Sequence, residues 1–388
     1  MACDHVLSIA EEYFAYMREI RRRIHRNPEL AFQERETAAC IEENLHEAGL
    51  EAITGVGGTG LIATLNESDS KRKILVRADM DALPIHETRD SSYASRNEGV
   101  MHACGHDAHV AIALGVIRIL QDVKGRFDSE VIFAFQPAEE TDEGARAMLD
   151  SDELRGIRYD VALGCHVDPR LPPRTVGICC GPMKASIDHL DITIKGEASH
   201  TAAPHLGKDP ITAAAALIVE LNSYLNRRMD PRECRNVGIG AIHGGEARNS
   251  VPAEVRLKGD IRTLSSVARE RLLKELPHVG DGIELIYGVS VDTRIEMKVP
   301  RIVNDRDVCR GVANAAAHLL GEEAVLTIGP LLSGDDFAVW SQEAPSCYFQ
   351  LGASDGRGTY LHQPDFDIDE DALLYGAATM AQTIIEMR

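Results

Sequence analysis

Apolar residues recur at three- and four-residue spacing through Leu7–Arg26, at Ile9, Tyr13, Tyr16 and Ile20, which predicts an amphipathic helix ended by Pro28. A second helix is predicted over Arg35–Ala48, with Gly49 as its cap. Leu61–Leu65, Lys73–Arg77, Val131–Phe135 and Val161–Gly164 read as strands, and Gly105–Leu120 reads as a buried helix. Strands alternating with helices predict an open, mostly parallel sheet covered by helices. In such sheets ligands collect beyond the carboxyl ends of the strands. The pattern changes near Met183. Asp188–Lys195 alternates as a half-exposed strand, Asp209–Leu225 and Ser265–Leu276 read as helices, and Asn236–Ile242 and Val255–Thr263 as strands. The α/β pattern resumes near Pro300, with helix Asp305–Leu320 and strand Cys347–Leu351. The expected architecture is therefore α/β. A discontinuous domain of residues 1–183 and 299–388 is interrupted by a smaller α+β module, residues 184–298.

Charge and cysteine usage narrow the partners. The net charge of −20 repels phosphate backbones and anionic lipid, so neither nucleic acid nor a membrane surface is expected as a partner. No run of 18 apolar residues predicts a membrane span. The N-terminus Met1-Ala2-Cys3-Asp4-His5 lacks the basic-then-apolar order of a signal peptide. Nine cysteines is an odd count, no CxxC pair occurs, and Cys179 and Cys180 are adjacent, which suits a disulfide poorly. Reduced thiols and a cytoplasmic location are expected.

The densest chemistry lies in Met101-His102-Ala103-Cys104-Gly105-His106-Asp107-Ala108-His109. Thiolate and imidazole are ligands for zinc-like cations. Cys104 and His106, two apart, cannot share a helical face, so they are placed in the loop before the helix, where both can aim inward. His102 suits a supporting place, and His109, on the helix, suits packing. Glu139 and Glu140 follow an apolar strand and Pro137. Adjacent carboxylates diverge, so one can hold a metal while the other serves as base for water. Asp79 and Asp81 end another strand, and Asp81 suits orienting a metal ligand. His166 and His362 are each ambiguous alone, since a lone histidine is more often a hydrogen-bonded packing residue, but they complete a ligand set. The combination predicts a metal-dependent hydrolase acting on a small molecule.

These stretches, with Arg26–Leu30, Arg77–Pro84, Ser199–His205, Gly207–Pro210 and Leu361–Pro364, follow one another in the order of a known family. The chain resembles the aminoacylase and carboxypeptidase-G type metallopeptidases, peptidase family M20. Within it, the branch of auxin-conjugate amidohydrolases, hippurate hydrolase and N-acyl-amino-acid amidohydrolases fits best. The resemblance implies two divalent metal ions per subunit, zinc or manganese first and cobalt or nickel as substitutes. It implies Cys104, His106, Glu140, His166 and His362 as ligands, Cys104 bridging, and Glu139 as general base. Asp79 stands where sister branches carry a metal-binding histidine. The inserted module is implied to be a lid and dimerisation domain that makes a homodimer or higher homo-oligomer. His200 there is expected to stabilise the oxyanion in a partner subunit's site, and Asn249 and Arg262 to bind the substrate's carboxylate end. Leu332–Phe337 departs from the family's Gly-Ser-Glu-Asp-Phe pattern in order and acid length, which bears on the substrate pocket. The expected reaction is cleavage of the amide of an N-acyl amino acid or small peptide. A dipeptidase or aminopeptidase, a deaminase on the same scaffold, and a non-catalytic metal-binding protein are the rival readings. Glu139 argues against the last, because metal storage needs no base.

Overall fold

The structure, a computed structural model, describes residues 3–67 and 72–387. They divide into two units. The first comprises the chain up to Gly181, Val303–Gly329 and the residues from Asp335 on; the second comprises Pro182–Ile302 and Pro330–Gly334.

The first unit is built on one mixed sheet, in the order Ala52–Val56, Gly60–Leu65, Glu130–Gln136, Lys73–Asp79, Val161–Asp168, Ser346–Gly352, Val176–Ile178, Val325–Thr327. Its centre is parallel: Lys73–Asp79 pairs in parallel with both Glu130–Gln136 and Val161–Asp168, and the latter pairs in parallel with Ser346–Gly352. Every residue of Glu130–Gln136, Val161–Asp168 and Ser346–Gly352 is buried, as expected for parallel strands covered on both faces. Helix His106–Asp122 has no polar stripe because it packs on the sheet and also against helices Phe14–Arg26 and Asp371–Glu386. The predicted first helix is two, Cys3–Glu12 and Phe14–Arg26. The break at Tyr13 is slight, since Tyr13 N–H still donates to Ile9 O at 3.2 Å and Met17 N–H to Tyr13 O at 3.0 Å.

The second unit is an antiparallel sheet, ordered Arg235–His243, Glu254–Thr263, Ser186–Lys195, Ser290–Val299, with helices Pro210–Arg228 and Ser266–Tyr287 packed on it. Leu190, Ile192 and Ile194 from the strands meet Leu217, Leu221, Leu272 and Ile283 from the helices in a separate core. The second helix runs past Pro277, where sequence pattern predicts an end. Val279 and Ile283 continue its buried stripe, and Gly288, at φ 66°, closes it. Pro330–Gly334 joins this unit through Leu331 N–H donating to Met183 O at 2.8 Å and Ala185 N–H donating to Ser333 O at 3.2 Å. Among the described residues no helix is long and apolar enough to cross a membrane.

Candidate metal centre

The centre lies in the first unit, where the parallel strands end. Lys73–Asp79 delivers Asp79 and then Asp81; Glu130–Gln136 delivers Glu139 and Glu140; Val161–Asp168 carries His166 inside its last turn of pleat, two residues short of its end rather than beyond it. Cys104 lies in the loop before helix His106–Asp122, but His106, expected in that loop too, is the helix's first residue; the cap between them, Gly105, has φ 84°. Only glycine fits there: a Cβ would also sit 2.4 Å from Val167 Cγ2. That turn sends Cys104 and His106 to the same side.

Donor atoms of Cys104, His106 and His166 lie within 4.8 Å of one another, as do those of Cys104, Glu140 and His362, and those of His106, Glu139 and Glu140. The structure thus brings together all five expected ligands and the expected base. His106 Nδ1 contacts Asp81 through its backbone O at 3.0 Å and Oδ1 at 3.2 Å, so Nδ1 carries the proton and Nε2 presents a lone pair. His166 is set likewise: Nδ1–H donates to Val167 O at 2.7 Å, and Nε2 faces Cys104 Sγ at 3.4 Å. His362 is half exposed, held by its backbone N–H donating to Ala103 O at 2.8 Å, with Nε2 at 3.5 Å from Glu140 Oε1.

A divalent cation fits these groups. His106 Nε2 and Glu140 Oε1 are buried with no hydrogen-bond partner. Leaving each unsatisfied costs about 1–3 kcal/mol. Around His106 Nε2 stand Asp79, Glu139 and Glu140 carboxylates at 3.6, 3.8 and 3.9 Å, too far to hydrogen-bond and spaced to face a common cation. Burial opposes protonation of His106, yet Asp79, Asp81 and Glu140 outweigh it and hold its pKa well above the usual histidine value, so Nε2 carries a proton until a cation takes that proton's place on the lone pair. The carboxylates around His106 therefore call for positive charge, and thiol, imidazole and carboxylate donors suit a transition-metal ion.

Asp81 also accepts from the N–H groups of Glu139 and Glu140, both at 3.0 Å, so one side chain fixes a histidine and the carboxylate pair. His109 is committed elsewhere. Its Nδ1 contacts Asp79 Oδ1 at 2.5 Å and its Nε2 accepts from Val167 N–H at 3.0 Å. Asp79 is also paired with Arg77, which reaches Asp336 Oδ1 at 2.8 Å and Asp335 Oδ1 at 3.2 Å. Gln136 donates to Asp336 Oδ1 at 2.7 Å and accepts from Trp340 Nε1–H at 2.9 Å. Asp335 and Asp336 share a 4.8 Å cluster with Glu139. Burial, Asp335 and Glu140 together push Glu139 well above the ordinary carboxylate range, which makes it a stronger base. The sequence pattern did not single out Asp335 and Asp336 as neighbours of Glu139, nor Arg77 as the cation that pairs with both acids. A buried acid pair next to Phe337 was the available signal.

In the second unit His200 and Asn249 come together. Strand Ser199–His200 pairs with Ser250–Val251, and Thr201 N–H donates to Asn249 O at 3.2 Å. The exposed His200 accepts from Ala202 N–H at Nδ1, 3.0 Å, leaving Nε2–H as a donor. Arg262 stands apart on strand Glu254–Thr263, where it donates to Asp260 Oδ2 at 2.8 and 2.9 Å and to Leu332 O at 3.3 Å.

Beside the ligand loop, His102 is buried with both ring nitrogens unpartnered, and burial pushes its pKa down to about 3. The unfolded chain takes up this proton near pH 6.5 and the folded chain does not. Stability therefore falls as pH drops from 6.5 toward 3, by about 1 kcal/mol per pH unit. In chelator-stripped protein, His102→Phe flattens this acid limb of the stability profile measured by urea titration. An unchanged slope contradicts the assignment.

The fold and this site define a hydrolase of a recognised class. The family model for peptidase family M20/M25/M40 matches residues 75–386. The chain belongs to this family and is a metal-dependent hydrolase. It is similar to N-acetyl-L-cysteine deacetylase of Bacillus subtilis, 34% identical, with 92% of this chain and 84% of that protein covered. A putative aminohydrolase from methicillin-resistant Staphylococcus aureus superposes with a TM-score of 0.90 at 32% identity, covering 99% of each chain. The YXEP protein of Bacillus subtilis, described as a dinuclear metal binding peptidase, superposes with a TM-score of 0.83 at 31% identity, covering 97% of this chain and 98% of that one.

Proposed function

We propose that the protein cleaves the amide bond of N-acyl amino acids with two divalent cations and Glu139 as general base. One observation carries this reading: donor atoms of Cys104, His106, Glu140, His166 and His362 fall into overlapping clusters within 4.8 Å, two of those atoms, His106 Nε2 and Glu140 Oε1, have no hydrogen-bond partner, and Glu139 stands beside them. The deacetylase named among the relatives supports the acyl-amino-acid substrate. The peptidase description of the YXEP protein supports small peptides as the second reading.

Zinc, manganese, cobalt or nickel suits the mixed donors, and when bound such cations supply the Lewis acidity that makes water a nucleophile near neutral pH. The protein's own groups do the rest. Asp81 holds His106 in the Nδ1–H tautomer and aims the Glu139–Glu140 pair. Glu139 accepts the proton of the attacking water and returns it to the departing amine nitrogen, so the C–N bond breaks to a carboxylate and a free amino acid. His200 donates to the oxyanion, and Asn249 and Arg262 receive the substrate's carboxylate end. The second unit mediates a homodimer; its outer strand Arg235–His243 and the exposed Val219 and Ile242 supply the surface. A cytoplasmic location fits the free thiols of Cys40, Cys104, Cys165, Cys179, Cys180, Cys234, Cys309 and Cys347.

A panel of N-acetyl, N-benzoyl and indole-acetyl amino acids, beside dipeptides with free N-termini, tests the substrate class. Turnover of the acylated set is expected; cleavage of the free dipeptides alone would move the protein to the peptidases, and ammonia release without amide cleavage to the deaminases. His200→Ala is expected to lower kcat by about 10²–10³, the cost of one oxyanion donor. Mixed dimers of His200→Ala with Glu139→Gln regain one intact site if His200 acts across subunits. No recovery in mixed dimers that demonstrably form places His200 in its own chain's chemistry or outside it.

A further inference from the structure

The turn that carries Glu139 is unusual in its backbone. Ala138 has φ 53° and Asp142 φ 59°, the left-handed region that residues with a Cβ rarely occupy. Nothing in the local sequence Gln136-Pro137-Ala138 enforces it. The enforcement comes from two buried carboxylates that take three consecutive amides. Asp81 accepts from the N–H groups of Glu139 and Glu140, both at 3.0 Å. Glu34 Oε1 accepts from Ala138 N–H at 2.9 Å, and Glu34 Oε2 accepts from the Thr59 hydroxyl at 2.5 Å. Glu34 is 0% exposed and lies 104 residues from Ala138 in sequence, at the start of helix Arg35–Glu47. Past the turn the chain is closed tightly: a Cβ on Gly144 would lie 1.6 Å from Pro137 O. The turn is thus pinned at its entry by Glu34, in its middle by Asp81 and at its exit by Gly144.

A carboxylate is a poor filler for a buried space, because it must be desolvated. Glu34 spends that cost on an amide whose conformation sets the direction in which the next side chain leaves the turn. We propose that Glu34 is a positioning residue for Glu139: by fixing Ala138 in the left-handed conformation it aims the general base. Glu34 touches no reacting group itself. The proposal rests on the reading of Glu139 as the base.

Two substitutions separate positioning from simple structural support. Glu34→Gln keeps an acceptor for Ala138 N–H and can donate to the Thr59 hydroxyl. Glu34→Met keeps the volume and does neither. With N-acetyl-L-cysteine as probe, Glu34→Met is expected to lower kcat about 10–100-fold, with KM and metal content unchanged and faster amide exchange at residues 138–140. Glu34→Gln restores most of kcat and the slow exchange. Parent-level kcat in Glu34→Met, or equal losses in both variants that track loss of metal, overturns the proposal. If Glu34→Met does not fold, Glu34→Asp, which withdraws the carboxylate by one methylene, carries the same test, with kcat falling and KM kept. Glu139→Gln is run beside them. If it turns over like the parent, the base reading has failed, while exchange at 138–140 still decides whether Glu34 holds the turn.

Discussion

Glu139→Gln is expected to lower kcat by about 10²–10⁴, the usual share of general acid–base catalysis, with metal content retained. Glutamine keeps the size of the side chain and an acceptor oxygen but takes no proton at neutral pH. Glu139 lies within 4.8 Å of donor atoms of His106 and Glu140 on one side and of Asp335 and Asp336 on the other. Burial alone disfavours its charge, and the neighbouring acids add to this. A carboxylate so raised holds a proton long enough to hand it on, which a solvated glutamate does poorly. Burial also lifts Asp336, to about 7, with Asp335 adding to it and Arg77 opposing. Elemental analysis beside steady-state kinetics checks the prediction. Near-normal turnover would make Glu139 a structural residue.

Arg21→Met is expected to destabilise the first unit by about 3–5 kcal/mol, the cost of breaking a buried ion network at one member. Arg21 is 1% exposed and donates to Asp107 Oδ2 at 3.2 Å, Asp367 Oδ1 at 2.5 Å and Glu370 Oε1 at 3.1 Å. Methionine fills much the same space and leaves these acids without their central cation. Asp107 is also in contact with His25 Nδ1 at 2.7 Å. Burial would raise the Asp107 pKa, but Arg21 and His25 outweigh it and hold it well below the usual carboxylate range. A carboxyl with a depressed folded-state pKa contributes stability above its unfolded pKa, about 4, and loses it as pH falls through the folded value. The gap between parent and Arg21→Met is therefore widest near neutral pH and narrows below about pH 4. Denaturant titration across pH reads both. A loss under about 1 kcal/mol at pH 7 would mean that the acids find water instead.

Cys104, His106, Glu139 and Glu140 were legible as a candidate site because their signals are local, whereas His166 and His362 were ambiguous alone and entered the ligand set through the family resemblance. Cys104 and His106 flank one helix cap, Glu139 and Glu140 share one turn, and strand periodicity places each turn at a sheet end. The parallel centre of the sheet was legible for the same reason, since long apolar runs announce buried strands. Partners that meet only through space were not legible. Arg77 contacts Asp336 across 259 residues, and Arg21 reaches Asp367 across 346. Glu34 sits in the charged run Gln33-Glu34-Arg35-Glu36, which reads as a solvated helix start until the fold buries it against Ala138. Strands Val176–Ile178 and Val325–Thr327 are too short to show a period. Pro277 hid the second half of Ser266–Tyr287, because tertiary packing there outweighs the local stop signal.

On the proposed function, this chain hydrolyses acylated amino acids only with two cations held by Cys104, His106, Glu140, His166 and His362. The most direct test of this is titration of zinc or manganese into chelator-stripped protein while N-acetyl amino acid hydrolysis is followed. The stripped protein is expected to be inactive, with turnover rising to a plateau at two equivalents per chain, as a two-metal site requires. Full turnover in the stripped protein, or saturation with metal and no hydrolysis of any acylated substrate, would contradict it.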